Sequence, residues 1–192
     1  MSETPAISDV RAGAIGPGRL VLVVGPSGAG KDTLLGLARD ACAGDASIVF
    51  PRRVVTREAS TFEDNEQVSV EDFRQGRNDG EFSMHWEAHG HGYALRRAID
   101  DDIRAGRTVV ANVSRTVLEA MRRAYADVVV VSITAPREIL RERLAARARG
   151  SDGQLSDRLG RAVDEVVPDV IITNVGSAAQ HAQELLRAIR GG

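Results

Sequence analysis

Gly25-Pro26-Ser27-Gly28-Ala29-Gly30-Lys31-Asp32-Thr33 lies between an apolar run, Leu20-Val21-Leu22-Val23-Val24, and a segment with helical spacing, Leu34-Leu35-Gly36-Leu37-Ala38. A buried strand, a glycine loop and a helix in this order are the context of a phosphate-binding P-loop. Its glycines let backbone N–H groups surround a polyphosphate, and the helix directs its positive end to the same point. We therefore predict that residues 25–33 bind a nucleotide, with Lys31 at the β- and γ-phosphates. The alternative is a glycine-rich turn without a ligand.

The composition supports a special role for Lys31. The chain has 25 lysine and arginine residues, and Lys31 is the only lysine among them. A lysine in a chain that otherwise uses arginine indicates a position where a planar guanidinium would not fit. The next residue, Asp32, departs from the P-loop pattern, which expects serine or threonine there, and Thr33 comes one position late.

The bulk properties limit the class of protein. The 192 residues predict one domain with a substantial core, and we assign residues 1–18 to a mobile tail and residues 19–190 to the domain. A net charge of −2 gives no basic field for nucleic acid, and no apolar run reaches membrane-spanning length. One cysteine, Cys42, excludes an internal disulfide framework. We predict a cytoplasmic protein, and the sequence leaves its oligomeric state open.

Strand-like and helix-like segments alternate along the chain and predict an α/β fold with a parallel sheet covered by helices on both faces. Thr108 to Val113 and Val128 to Ile133 read as buried strands. Leu95, Ile99 and Ile103 share one face of a predicted helix that ends near Gly106. Further helices are predicted over residues 116–125 and after Pro136.

Arginines accompany the P-loop at three places in the chain. Arg53 and Arg57 adjoin the second predicted strand, and Arg115 follows a third strand. The last group surrounds the break at Gly150 to Gly153 and comprises Arg143, Arg147, Arg149 and Arg158. Phosphoryl transfer needs placed cations around the equatorial oxygens, which predicts a role in catalysis or binding. Because the chain has many arginines, exposed helix faces are the alternative explanation.

The strand that would supply a magnesium-binding acid in a hydrolysing NTPase ends here in Asn112-Val113-Ser114, without a carboxylate. Asp32 could compensate by holding Mg²⁺ or by orienting its waters. His85, His89 and His91 have a spacing that could suggest a metal site, but the glycine-rich surroundings favour surface or substrate-loop histidines.

Together these residues resemble guanylate-kinase-type enzymes in the P-loop, in Arg53-Val54-Val55-Thr56-Arg57 and in the arginine lid of about residues 143–158. The departures at Asp32, Asn112 and Ser114 are similar instead to a neighbouring family, the ribose 1,5-bisphosphate phosphokinases of phosphonate catabolism. That resemblance also covers Thr56 to Ser60, Trp86, Ser114-Arg115 and Glu138 to Leu144. At Gly92-Tyr93-Ala94 the family more often has Tyr-Tyr-Gly.

The resemblance implies a P-loop kinase fold, similar to that of guanylate kinase. It also implies transfer of the γ-phosphoryl group of ATP to the 1-phosphate of ribose 1,5-bisphosphate, with Mg²⁺ as cofactor. The P-loop, Arg149, Asn174 and Val175 would hold ATP, with Asn174 and Val175 beside the adenine, and Asp32 the metal. Lys31 would act in catalysis with Arg143, Arg147 and Arg158. The acceptor would contact Arg53, Arg57, Tyr93, Asn112, Ser114 and Arg115.

Two other functions remain open from the sequence. The first is a nucleoside monophosphate kinase, with guanylate as the first choice of acceptor. The second is a non-catalytic interaction module with a guanylate-kinase-like fold, although such modules tend to lose the P-loop lysine and this chain keeps Lys31.

Overall fold

The computed structural model describes residues 13–58, 64–148 and 167–192. Its strands are β1 (Ile15–Val24), β2 (Ile48–Val49), β3 (Arg53–Val55), β4 (Asn65–Gln67), β5 (Phe82–Ala88), β6 (His91–Arg96), β7 (Thr108–Asn112), β8 (Tyr125–Thr134) and β9 (Val170–Thr173). Its helices are α1 (Lys31–Ala41), α2 (Val70–Asn78), α3 (Ala98–Arg104), α4 (Leu118–Ala124), α5 (Arg137–Ala148) and α6 (Ala178–Arg190), with a 3-10 turn at Arg115–Val117.

The larger sheet has five strands in the order β2-β7-β1-β8-β9, and every pair in it is parallel. β1 is the central strand, and its side chains alternate between two cores because successive residues of a strand point to opposite faces. Leu20 and Leu22 belong to one core, whereas Val21 and Val23 belong to the other. All four are fully buried, which explains why this strand reads as a continuous apolar run.

Helices cover both faces of this sheet, as the sequence predicts. On one face, Ile103 of α3 and Met121 of α4 pack in the core that contains Leu20. On the other face, Leu34 of α1 and Leu185 of α6 pack in the core that contains Val21. The three layers place the carboxyl ends of β1 and β7 beside the start of α1, where a doubly wound fold binds its ligand.

The second sheet has four strands in the order β4-β3-β6-β5. β5 and β6 form an antiparallel hairpin whose two turn residues, His89 and Gly90, have φ angles of 53° and 75°. Positive φ at both positions is the requirement of a type I′ turn, which matches the twist of a hairpin. Leu95 is buried in β6, so its assignment to a helix with Ile99 and Ile103 was wrong. Its spacing fits a helix by coincidence, because α3 begins only at Ala98.

A buried hydrogen-bond network joins the two sheets. The hydroxyl groups of Ser83 in β5 and Tyr125 in β8 both donate to Oδ1 of Asp100 in α3, over 2.8 and 2.7 Å. All three residues are less than a tenth exposed. Burial and the neighbouring carboxylate raise the pKa of Tyr125 far above its ordinary value, so the phenol stays protonated and keeps donating.

Arg96, at the end of β6, forms ion pairs with two glutamates of the second sheet region, one of which lies in the edge strand β4. Its guanidinium bonds Glu66 in β4 over 2.5 Å and also contacts Glu81. The hydrogen bond from Arg96 lowers the pKa of Glu66, and the same bond raises the pKa of Arg96. This ion pair holds the short, polar β4 against the hairpin.

Other element boundaries also differ from the prediction, most clearly at β1 and around α4. β1 begins at Ile15, so the strand starts inside the segment assigned to the tail. The helix predicted over residues 116–125 is divided into the 3-10 turn and α4, and Tyr125 already belongs to β8. Among the helices of the described residues, none is long and apolar enough to cross a membrane.

Candidate functional site

The P-loop follows β1 with three glycines at positive φ, which are 150° at Gly25, 84° at Gly28 and 87° at Gly30. Side chains rarely adopt these angles, and at two of the positions there is also no space for one. A Cβ at Gly25 would collide with the carbonyl oxygen of Ile133, and a Cβ at Gly30 with the amide nitrogen of Asn174. The glycines therefore serve the close packing of the loop against β8 and the turn after β9.

Lys31 is the first residue of α1, and its ammonium group folds back over the loop. Its Nζ donates to the carbonyl oxygens of Gly25 at 2.8 Å and Pro26 at 3.0 Å. Gly30, at the N-cap, has no side chain with which to cap the helix. The N–H groups of the first turn therefore have no side-chain cap, and Lys31 adds a positive charge beside the same loop, which are two features of an anion-binding site.

Asp32 lies opposite the end of β7. Nδ2 of Asn112 donates to Oδ1 of Asp32 at 3.3 Å, and Asn112 pairs in parallel register with Val23 of β1. The carboxylate of Asp32 thus lies beside the carboxyl end of β7, and its compensating role at the metal stays a prediction. The described residues hold no group of three histidine, cysteine or acidic side chains for a metal. Mg²⁺ in kinases uses one or two carboxylates together with substrate phosphates, so a single aspartate fits this ion.

A cavity of about 240 Å³ adjoins the P-loop and is defined here as the main cavity. The walls come from both sheets and bring together most of the residues that the sequence singled out. They are Gly25, Ser27, Gly28, Gly30, Lys31, Asp32, Thr33, Arg53, Arg57, Trp86, Ala88, His89, Tyr93, Asn112, Val113 and Ser114. Among the described residues of this wall, Lys31, Arg53 and Arg57 outnumber the one carboxylate, Asp32, so the wall favours anions.

The acceptor side of the main cavity is built on β3 and on the hairpin. The rings of Trp86 and Tyr93 stack with centroids 5.7 Å apart, and the guanidinium of Arg53 lies 5.8 Å from the Tyr93 ring. Thr56 fixes the neighbouring strand, because its Oγ1 accepts from the amide of Gly92 at 2.8 Å and its own amide donates to the Gly92 carbonyl. These contacts hold Arg57, the next residue, at the cavity wall.

The structure explains the departure at Gly92. A Cβ on this residue would lie 2.8 Å from the ring of Phe73, which comes from α2. Real Cβ atoms do not approach other atoms so closely, so Phe73 occupies the space of a larger residue at position 92. The Phe73 ring in turn packs against the ring of Phe82 in a tilted arrangement, with centroids 5.2 Å apart.

Ser114 and Arg115 have different surroundings. Ser114 lines the main cavity, and its Oγ accepts from the amide of Thr116 to begin the 3-10 turn. Arg115 is exposed and is not among the residues that line this cavity. The predicted acceptor residues therefore converge at one wall except for Arg115.

Arg143 and Asn174 contact the back of the P-loop. The guanidinium of Arg143 donates to the carbonyl oxygens of Gly28 at 3.2 Å and Asn174 at 3.1 Å. Asn174 is 4% exposed, and its Nδ2 donates to the carbonyl oxygen of Ala29 at 2.8 Å. The sequence assigned Arg143 to the lid and Asn174 to the adenine, and it gave no sign that the two residues support the loop.

The remaining predicted residues lie at or beyond the edge of the described site. Val175 is 43% exposed, and its carbonyl oxygen lies 2.9 Å from Nε2 of His181, which raises the pKa of that histidine. Arg147 belongs to α5. Arg149 and Arg158 lie outside the described residues, as does the lid after residue 148.

A glycine loop with its lysine on a parallel sheet, next to a cationic wall on a second sheet, is the arrangement of a P-loop kinase. The ribose 1,5-bisphosphate phosphokinase PhnN of Bradyrhizobium diazoefficiens is 61% identical over 192 residues, which cover 99% of this chain and 97% of that relative. The same enzyme of Rhodopseudomonas palustris is 62% identical over 187 residues, or 97% and 96% of the two chains. The chain therefore belongs to the ribose 1,5-bisphosphate phosphokinase family.

Solved structures confirm the fold. A guanylate kinase from Anaplasma phagocytophilum superposes with a TM-score of 0.63 at 22% identity and covers 93% of this chain and 86% of its own. The likeness at this identity concerns the fold alone. No protein-family model matches the chain.

Proposed function

We propose that this protein transfers the γ-phosphoryl group of ATP to the 1-phosphate of ribose 1,5-bisphosphate, which yields 5-phosphoribosyl 1-diphosphate and ADP. The observation that carries the proposal is the main cavity, in which the P-loop meets Arg53, Arg57 and Tyr93. Its strand-end residues are Asn112 and Ser114, which offer no carboxylate for a guanine base. Membership of the family supports the same acceptor.

The acceptor chemistry agrees with the residues present. A sugar phosphate is already anionic near neutral pH, so its oxygen attacks without a general base. Catalysis then depends on in-line positioning and on neutralising the charge that spreads over the transferred group. Lys31 would supply that charge at the P-loop, and Arg57 would hold the reacting phosphate of the acceptor.

Asp32 would hold Mg²⁺ together with the phosphates of ATP, and Nδ2 of Asn112 donates to its carboxylate at 3.3 Å. When bound, the ion neutralises the β- and γ-phosphate oxygens. The amide of Asn112 keeps the carboxylate of Asp32 directed toward the P-loop. Arg143 would act through the loop, whereas Arg147, Arg149 and Arg158 are proposed to close over the transferred group.

A coupled ADP-release assay tests the proposal across ribose 1,5-bisphosphate, GMP, AMP and gluconate. We expect kcat/KM for the sugar bisphosphate to exceed that for GMP by at least about a hundredfold, or roughly 2.7 kcal/mol of transition-state stabilisation. Lys31→Ala is the control, because it should remove turnover by orders of magnitude and leave the fold intact. Comparable turnover of GMP would identify a guanylate kinase instead. Failure to bind ATP with Mg²⁺ would indicate a non-catalytic module.

A further inference from the structure

A second cavity, of about 150 Å³, lies beside the main cavity and is called the side cavity. Asp32, Arg53 and Asn112 line both cavities, so the two are separated by single side chains. The side cavity extends from these shared residues toward Arg39 at the end of α1 and toward Asp64 and Asn65 beside β4. The proposed phosphoryl transfer uses the main cavity alone and leaves the side cavity without a role.

Basic groups predominate around the side cavity. Asp64 is shared between two guanidinium groups, with Arg39 at 3.0 Å and Arg52 at 2.8 Å. Nε of Arg39 is buried and has no hydrogen-bond partner within the described part of the chain. Arg53 adds a third guanidinium, whose Nε donates to Oδ1 of Asn65 at 3.3 Å. Among the described residues, Arg39 and Arg53 line the cavity with two carboxylates, Asp32 and Asp64, and Arg52 pairs with Asp64 from outside the lining. Three arginines near two carboxylates leave this region with a net positive charge and with guanidinium N–H donors.

The size of the side cavity also restricts its occupant. A cavity of 150 Å³ holds a molecule about as large as benzene, so it has space for a phosphate group. Planar guanidinium groups suit phosphate because they donate two parallel hydrogen bonds to it. Arg53 lies at the boundary, where it can reach a ligand in either cavity. An acceptor with two phosphate groups separated by a small ring matches two adjoining anionic sites.

We infer that the side cavity binds the phosphate of the acceptor that does not react, the 5-phosphate of a pentose 1,5-bisphosphate, through Arg53 and Arg39. This inference rests on the proposed function and adds the basis of its specificity. The reacting 1-phosphate lies at Arg57 in the main cavity, and the sugar ring spans the boundary. Arg39 keeps the bond from its Nη1 to Asp64 and directs its other N–H groups to the phosphate. Acceptors without the second phosphate therefore lose their main anchor.

Kinetic discrimination between two acceptors tests the inference. Ribose 1-phosphate lacks only the 5-phosphate, so the ratio of kcat/KM for the bisphosphate to kcat/KM for ribose 1-phosphate measures recognition of that group. A charge-assisted contact corresponds to roughly a tenfold to hundredfold effect. We expect Arg53→Ala and Arg39→Ala each to lower this ratio by at least about tenfold, mainly through KM for the bisphosphate. Because Arg39 does not line the main cavity, Arg39→Ala should lose less than about threefold on ribose 1-phosphate.

Arg52→Ala is the matched control. Arg52 pairs with the same Asp64 and is more than half exposed, but it does not line the side cavity. Its removal deletes the same charge and should leave the ratio unchanged. Inhibition by ribose 5-phosphate gives a second readout, which does not depend on turnover of a poor substrate. The inhibition constant should rise about tenfold in Arg39→Ala and in Arg53→Ala, and it should stay unchanged in Arg52→Ala.

The outcomes separate this inference from the proposed function. If the wild-type protein phosphorylates the bisphosphate but the two variants lose activity equally on both acceptors, the 5-phosphate lies elsewhere and the inference fails alone. An equal change in Arg52→Ala would show a general effect of charge and would overturn it too. If the wild-type protein does not phosphorylate the bisphosphate, both the proposed function and this inference are wrong. If Arg53→Ala unfolds at a much lower temperature than the wild type, the result for Arg39→Ala alone tests the inference.

Discussion

Arg143→Ala tests whether this arginine supports the P-loop or stabilises the transferred phosphoryl group. The substitution removes two hydrogen bonds of ordinary length, to the carbonyl oxygens of Gly28 at 3.2 Å and Asn174 at 3.1 Å. At about 1 to 1.5 kcal/mol each, their loss costs about 2 to 3 kcal/mol of folding free energy. For a chain of this length, that corresponds to a fall in Tm of ~4–12 °C.

Thermal unfolding without nucleotide and steady-state kinetics with varied ATP measure the two effects separately. Because the loop loses support, we expect KM for ATP to rise and kcat to fall by less than about tenfold. Arg141→Ala is the matched control, since Arg141 is exposed on the same helix and its loss should leave Tm and KM unchanged. An unchanged Tm with a loss in kcat of roughly a thousandfold or more would refute the reasoning and make Arg143 a charge partner in the transition state.

Three further perturbations test other parts of the structure. Asp32→Asn should raise the Mg²⁺ concentration that gives half-maximal rate by about tenfold, because it removes the carboxylate proposed to hold the ion. Asp32→Ser should show the same weakened dependence. A fully active Asp32→Ser variant with the wild-type dependence on Mg²⁺ would contradict the proposed metal-binding role of Asp32. Gly92→Ala places a Cβ against Phe73 and should cost about 1 to 3 kcal/mol, seen as a lower Tm that Phe73→Leu partly restores. The pKa of Glu66 lies below its ordinary value of 4.5 because Arg96 donates a hydrogen bond to the carboxylate. The ion pair therefore stabilises the fold at pH values above 4.5, and this stabilisation is lost as the pH falls through the lowered pKa. Glu66→Gln should therefore lower the free energy of unfolding near neutral pH by no more than about 1 kcal/mol, because the pair is partly exposed, and Tm should fall slightly. The difference in Tm between the variant and the wild type should vanish in acid. A difference that persists in acid would point to packing instead.

The sequence predicted the larger sheet and the P-loop well because each signal is local and strong. The run Leu20 to Val24 is buried on both faces, and only a central parallel strand requires that pattern. The spacing of the loop then fixes Lys31 at the start of α1. The contact between Asp32 and Asn112 was not predicted, because it depends on the pairing of β7 with β1, and local sequence does not specify the order of strands in a sheet.

The second sheet was harder to predict because two of its four strands are very short and one of these, β4, is polar. β3 and β4 have three residues each, and Asn65-Glu66-Gln67 carries no apolar alternation. Such a strand forms because Arg96 and the backbone of β3 hold it, and neither contact is visible in local sequence. The support of the P-loop by Arg143 and Asn174 is likewise a contact between distant residues, and no spacing rule indicates it.

The single lysine makes the P-loop the only point at which a lysine-specific endoproteinase can cut this chain. Cleavage after Lys31 would produce the two fragments 1–31 and 32–192. The native protein resists the cut, because Lys31 lies in the first turn of α1 and its Nζ bonds two loop carbonyls. Proteolysis therefore requires that the loop and the first turn of α1 open locally. When this opening is fast relative to cleavage, the rate of cleavage after Lys31 reports the free energy of the local opening. A bound nucleotide would slow the cut by mass action, so the digestion rate measures occupancy of the site in the absence of turnover.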